Sequence, residues 1–167
     1  MTTAPHAPTE LTVRRLAIDL SKGFSRHWNG GDAFMTAYAN ALSMSFPVGE
    51  QFFIDAVKHG AKALPDTPEN ADLHKVVKGF IGQEATHRRI HSLFNQQLEA
   101  QGLTNAMERR IARRLQAHAH LDVRMHVAAT AATEAIVPVG YRSRFGHPAP
   151  PVMAPPARQD TPPARAP

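Results

Sequence analysis

Apolar residues recur at helical spacing over most of the chain. Leu73, Val76, Val77, Phe80, Phe94 and Leu98 fall on one stripe at about 100° of rotation per residue, which predicts a single long helix. Thr67 and Pro68 suit its N-cap and first position, and Gly102 its end near Gln101. Upstream, Asn29-Gly30-Gly31-Asp32 reads as a turn closing on an N-cap, opening a helix from about Ala33 to Leu64. Pro47 lies inside it and is expected to kink it or divide it in two. Beyond that break, Phe46, Glu50, Phe53, Val57, Ala61 and Leu64 share a face. A third helix, capped by Thr104 or Asn105, runs through Met107, Ile111, Leu115, His118, Asp122, Met125 and Ala129 toward Glu134 and is expected to end at Pro138. Three helices of roughly 30 residues, each ~45 Å long, predict an all-α bundle.

The ends of the chain read differently. Residues 1–10 resemble a disordered lead-in, and Leu11, Val13, Leu16, Ile18 and Leu20 fit either a short extended segment or a helical turn. From Tyr141 onward eight of the fourteen prolines are mixed with Ala and Arg, so residues 141–167 are expected to form a disordered tail. One helical domain over residues 11–140 remains. The N-terminus lacks the basic and apolar regions of a signal peptide, and no stretch is apolar enough to span a bilayer, which points to the cytoplasm. The net charge of +5 changes little: Arg142, Arg144, Arg158 and Arg165 against Asp160 put +3 of it after residue 140. The body carries only +2, which argues against a nucleic-acid partner.

Polar residues inside the apolar stripes carry the chemistry. Glu84, His87 and His91 interrupt the stripe of the second helix. A carboxylate turned toward a core must be neutral, paired or bound to a cation, and two adjacent imidazoles favour the cation. Glu-x-x-His on a bundle helix is the ligand arrangement of carboxylate-bridged two-metal sites. Glu50, between Phe46 and Phe53, is a second ligand candidate, and Glu134, beside Val123, Val127 and Thr130, a third. With no cysteine in the chain, any ligands must be His, Asp or Glu. The competing reading is that Glu84, His87 and His91 satisfy one another, and that Glu134 is a solvated residue near a helix end. His118, His120 and His126 read as surface or partly buried residues. Arg109, Arg110, Arg113 and Arg114 form a basic stripe that a solvated face explains, with no aromatic residues there to stack bases. Phosphate loops, nucleophile elbows and His-Glu-x-x-His are absent.

The string Ala41-Leu42-Ser43-Met44-Ser45-Phe46-Pro47-Val48-Gly49-Glu50-Gln51-Phe52-Phe53, followed by Gly79-Phe80-Ile81-Gly82-Gln83-Glu84-Ala85-Thr86-His87, His91 and Asn95, resembles the bacterial family described as predicted metal-dependent hydrolases. The resemblance covers roughly residues 11–137. It implies a ferritin-like bundle holding a transition-metal pair, with iron first and manganese or zinc as alternatives. Glu50, Glu84 and His87 match ligand positions, and Thr133-Glu134 the third-helix segment. His91 is then a ligand, a partner that orients a ligand, or the catalytic group that takes a proton, and the substrate a small molecule. Family members continue with another helix bearing Glu-x-x-His, whereas this chain passes into Val137-Pro138-Val139-Gly140. The resemblance therefore implies a bundle lacking its last helix, a truncated member whose site a homodimer would complete. A di-iron oxidase or oxygenase, and a non-catalytic remnant acting through helix association, are the alternative readings.

Overall fold

The computed structural model describes Val13 and residues 19–145, the last eight of them by backbone alone. The expected lead-in over residues 1–10, most of the segment up to Leu20 and the tail from residue 146 lie outside the described residues. Four α-helices and no strand are found among those described: α1 (Ala33–Ala61), α2 (Ala71–Ala100), α3 (Ala106–Ala117) and α4 (Val123–Phe145).

Local chemistry sets most boundaries where the pattern places them. Asp32 caps α1, its side chain accepting from the Met35 amide at 2.9 Å. Thr67 precedes a 3₁₀ turn over Pro68–Asn70 that leads into α2. At the other end Gly102 has φ +85°, the Gly102 amide donates to the Glu99 carbonyl and the Leu103 amide to the Leu98 carbonyl. That pair of bonds is a Schellman close, and Leu103 then packs against the core containing Leu98.

Three expectations need correction. Pro47 does not divide α1, which runs unbroken past it. The predicted third helix is two helices: α3 ends at Ala117, and Asp122 begins α4, its side chain accepting from the Arg124 amide at 2.8 Å. Asp122 is a cap rather than a member of an apolar stripe. Pro138 does not end that helix, which continues to Phe145. The proline removes only the donor to the Glu134 carbonyl, and Glu134 is exposed, so water can serve that acceptor. The bundle thus has four helices where three were expected.

α1 is the central element. α2, α3 and α4 each pack on it, and among the described residues their backbones do not approach one another. α1 and α2 run antiparallel, Ser43 meeting Asn95 and Gln51 meeting Arg88, whose Nη1 donates to Gln51 Oε1. Leu20, Met44, Ile90, Phe94 and Leu98 form the core cluster. Phe24 stacks on Phe94 with ring centroids 4.6 Å apart, and Trp28 meets it edge-on at 5.4 Å. Trp28 Nε1 donates to Asn40 Oδ1 at 2.9 Å, so the segment before α1 is stitched to the bundle end. The N-terminal end of the predicted α2 stripe is the exception, with Leu73 exposed. Phe94→Ala should cost about 3–5 kcal/mol, because it removes the ring on which Phe24 and Trp28 both rest. Urea unfolding of the two proteins side by side measures it, and a loss below about 1 kcal/mol would show that this end is not close-packed.

Candidate metal centre

Helical geometry brings the predicted ligands together. On α2, Glu84, His87 and His91 follow at i, i+3 and i+7 and point at α1, where Glu50 faces them. Glu84 and His91 are each 2% exposed and Glu50 5%, while His87 is half-buried. Glu84 Oε1 stands 3.7 Å from His87 Nδ1, and Glu50 Oε1 stands 3.8 Å from His91 Nε2. Both distances are too long for hydrogen bonds. Glu50 Oε2 and Glu84 Oε1 have no hydrogen-bond partner among the described residues. Two dry carboxylates with orphaned oxygens are costly unless something else meets them.

Ligand atoms of Glu50, Glu84 and His87 lie within 4.8 Å of one another, a spacing that one ion could span after small adjustments. The surroundings tune the four groups in a consistent direction. Burial, then the charges of Glu84 and Glu134, pushes Glu50 up to about 8, with Arg88 opposing. Burial, then Glu134, raises Glu84 to about 7. Burial lowers His87, and burial followed by the His87 charge lowers His91 to about 4. Without a cation, near pH 7 Glu50 is mostly protonated, Glu84 is divided between its two forms, and both imidazoles are neutral. An added cation reverses the balance for the acids and finds the imidazole lone pairs already free.

Glu134 stands apart. It is exposed on α4 and outside the three-residue cluster, yet its charge reaches both Glu50 and Glu84. Desolvation by the surrounding protein raises its own carboxyl. The helices therefore bring Glu50, Glu84, His87 and His91 together, and Glu134 sits at the rim.

Two polar residues of the site were given no role by pattern alone. Ser43 and Asn95 are buried beside His91: Ser43 Oγ lies 2.9 Å from His91 Nδ1 and 2.8 Å from Asn95 Oδ1. Asn95 lies four residues after His91, on its face of α2, and Ser43 four before Pro47, which are the signals that could have found them. Phe46 covers the other side of His91, its ring edge-on with centroids 4.7 Å apart. Beyond Phe46 and Phe53 a cavity of about 440 Å³ opens between α1, α3 and α4, walled mainly by apolar groups such as Leu42, Ile111, Leu115 and Met125. The four arginines of the basic stripe are exposed, and Arg114 reaches the cavity edge. No helix among the described residues is long and apolar enough to cross a membrane.

No curated protein and no solved structure matches the chain. A family model does, described as predicted metal-dependent hydrolase and aligned over residues 12–142, a span that contains Glu50, Glu84, His87, His91 and Glu134. With most of its length matched and a buried cluster of suitable ligands at its centre, the chain belongs to the predicted metal-dependent hydrolase family.

Proposed function

We propose that the protein is a hydrolase of ferritin-like type that holds a transition-metal pair between α1 and α2, iron being the first candidate and manganese or zinc the alternatives. The observation that carries this reading is the pair of orphaned buried carboxylate oxygens, Glu50 Oε2 and Glu84 Oε1, in residues that each have an imidazole nitrogen 3.7–3.8 Å from a carboxylate oxygen. Glu50 would hold the metal together with Glu84 and His87, whose ligand atoms lie within 4.8 Å of its own, and with His91, whose Nε2 is 3.8 Å from its Oε1. A bound cation supplies Lewis acidity, lowering the pKa of a water molecule so that it can attack at neutral pH. The protein's residues do the rest. His91, with its pKa near 4, is a poor proton acceptor at pH 7 and a good lone-pair donor, so we assign it to ligation. Glu134 at the rim, exposed and within electrostatic reach of both buried acids, is placed to take up the proton. The apolar cavity behind Phe46 and Phe53 suits a small substrate with an aliphatic or aromatic body.

The donor set itself, two carboxylates with imidazoles and no thiolate, favours one rival reading, a di-iron oxidase or oxygenase. Metal-free protein reloaded with Fe(II), Mn(II) or Zn(II) separates the two. The hydrolase reading expects Zn(II)- or Mn(II)-dependent cleavage of aryl esters or phosphoesters that Glu84→Ala abolishes. An oxygen-dependent visible band on the iron-loaded protein, with no hydrolysis under any metal, would favour the oxidase instead.

A further inference from the structure

Pro47 has no amide hydrogen, so the carbonyl of Ser43, four residues earlier in α1, has no donor within its own helix. Asn95 Nδ2, reaching across from α2, donates to it at 3.0 Å. A carbonyl only accepts, so the amide group of Asn95 is oriented by chemistry, with Oδ1 left to face Ser43 Oγ at 2.8 Å. Oδ1 also only accepts, and the single hydroxyl hydrogen of Ser43 is therefore committed to Asn95. Toward His91 Nδ1, 2.9 Å away, Ser43 Oγ can then act only as acceptor. The hydrogen of the neutral imidazole must sit on Nδ1, and Nε2, 3.8 Å from Glu50 Oε1, is bare. Ser43, His91 and Asn95 are all buried, so water does not compete for these bonds.

We propose that the proline in α1 is a positioning device: through the carbonyl of Ser43, the amide of Asn95 and the hydroxyl of Ser43 it locks His91 in its Nδ1–H tautomer and aims the Nε2 lone pair at Glu50. The idea deepens the metal-centre reading and rests on it for its purpose, since a ring whose second nitrogen is tied down is the arrangement that orients an imidazole ligand. Ser43, Asn95 and Pro47 touch no substrate or ion in this scheme; they act through His91.

Long-range ¹H–¹⁵N correlation spectra of the full-length metal-free protein at pH 7.5 read the tautomer directly. The expected result is a protonated Nδ1 and an unprotonated Nε2 for His91, and a protonated Nε2 would overturn the proposal. Asn95→Leu frees the Ser43 hydroxyl to donate to Nδ1, which should switch His91 to the Nε2–H form and weaken Mn(II) binding by about tenfold or more. Ser43→Thr keeps the hydroxyl and should keep the wild-type tautomer. Should Asn95→Leu fail to fold, the wild-type spectrum still decides. If the expected tautomer is found in a protein that binds no Mn(II), the relay stands and the metal-centre reading falls. If Mn(II) binds but the metal-free ring carries its proton on Nε2, the relay falls alone.

Discussion

Glu50→Leu should make the metal-free protein more stable at pH 7.5, by on the order of 3 to 4 kcal/mol. In the fold this carboxyl is pushed up to about 8 from an ordinary 4.5. At pH 7.5 the chain must therefore fold with Glu50 largely protonated, although in the unfolded state it would be ionised. Each pH unit above the ordinary value costs about 1.4 kcal/mol, so the three units between 4.5 and 7.5 account for about 4 kcal/mol. A leucine escapes that cost and packs against the Phe46 and Phe53 side of α1. For a domain of this size the melting temperature should rise by roughly 6–15 °C. The same substitution should abolish metal binding, because the Glu50 carboxylate is gone. Thermal scans of both metal-free proteins measure the first effect and metal content the second. A variant less stable than the wild type would mean that Glu50 has a stabilising partner.

The second large effect is on pH. Between about pH 6.5 and 8 the metal-free protein should lose about 2 kcal/mol of stability as pH rises. Over that window the folded form still holds the Glu50 proton, with a pKa of about 8, and up to pH 7 that of Glu84 as well. The unfolded chain has already released both. A proton bound more tightly by the folded state favours folding at low pH, and that advantage disappears as pH climbs through the raised pKa. Below pH 6.5 the imidazoles oppose this trend. His91 is lowered to about 4, and His87 is lowered too, so the unfolded chain takes up protons that the fold refuses and the imidazole contribution to stability rises with pH there. The two slopes largely cancel between about pH 4.5 and 6.5. Saturating Mn(II) should reverse the slope at higher pH, since the ion binds the ionised acids and releases their protons. Urea titrations at pH 6.5, 7.25 and 8.0, with and without Mn(II), test this. A metal-free protein whose stability rises over that range would contradict it.

Local signals made much of this molecule readable in its sequence. The cap at Asp32, the stop at Gly102 and the inward turn of Glu84, His91 and Glu50 all follow from spacing and residue type, because each depends on neighbours within a turn or two; Thr67 marks only the 3₁₀ turn ahead of α2 and makes no side-chain cap bond. What escaped depends on partners far away in the chain. Pro47 looked like a break, since nothing within α1 shows that Asn95, 48 residues later, takes over the stranded carbonyl. The division between α3 and α4 has no Gly or Pro to mark it. Its local sign, Asp122 as a cap, lay hidden in a helical period that continued to fit on either side, and the turn is held in part by His126 Nε2 against the His118 carbonyl, 3.1 Å away. Glu134 was legible as a candidate, but its place at the rim depends on how α4 leans on α1. Gly60 of α1 sets that approach: a Cβ there would come within 3.0 Å of Val127 Cγ2.

The buried acids and imidazoles of α1 and α2 are expected to hold a cation. Calorimetric titration of the full-length metal-free protein with Mn(II) at pH 7.5, run in two buffers of different ionisation enthalpy beside Glu84→Ala, measures this most directly. Saturable, stoichiometric binding accompanied by proton release, and its loss in the variant, is the predicted result. No saturable binding by the wild type, or stoichiometric binding retained by Glu84→Ala, would contradict it.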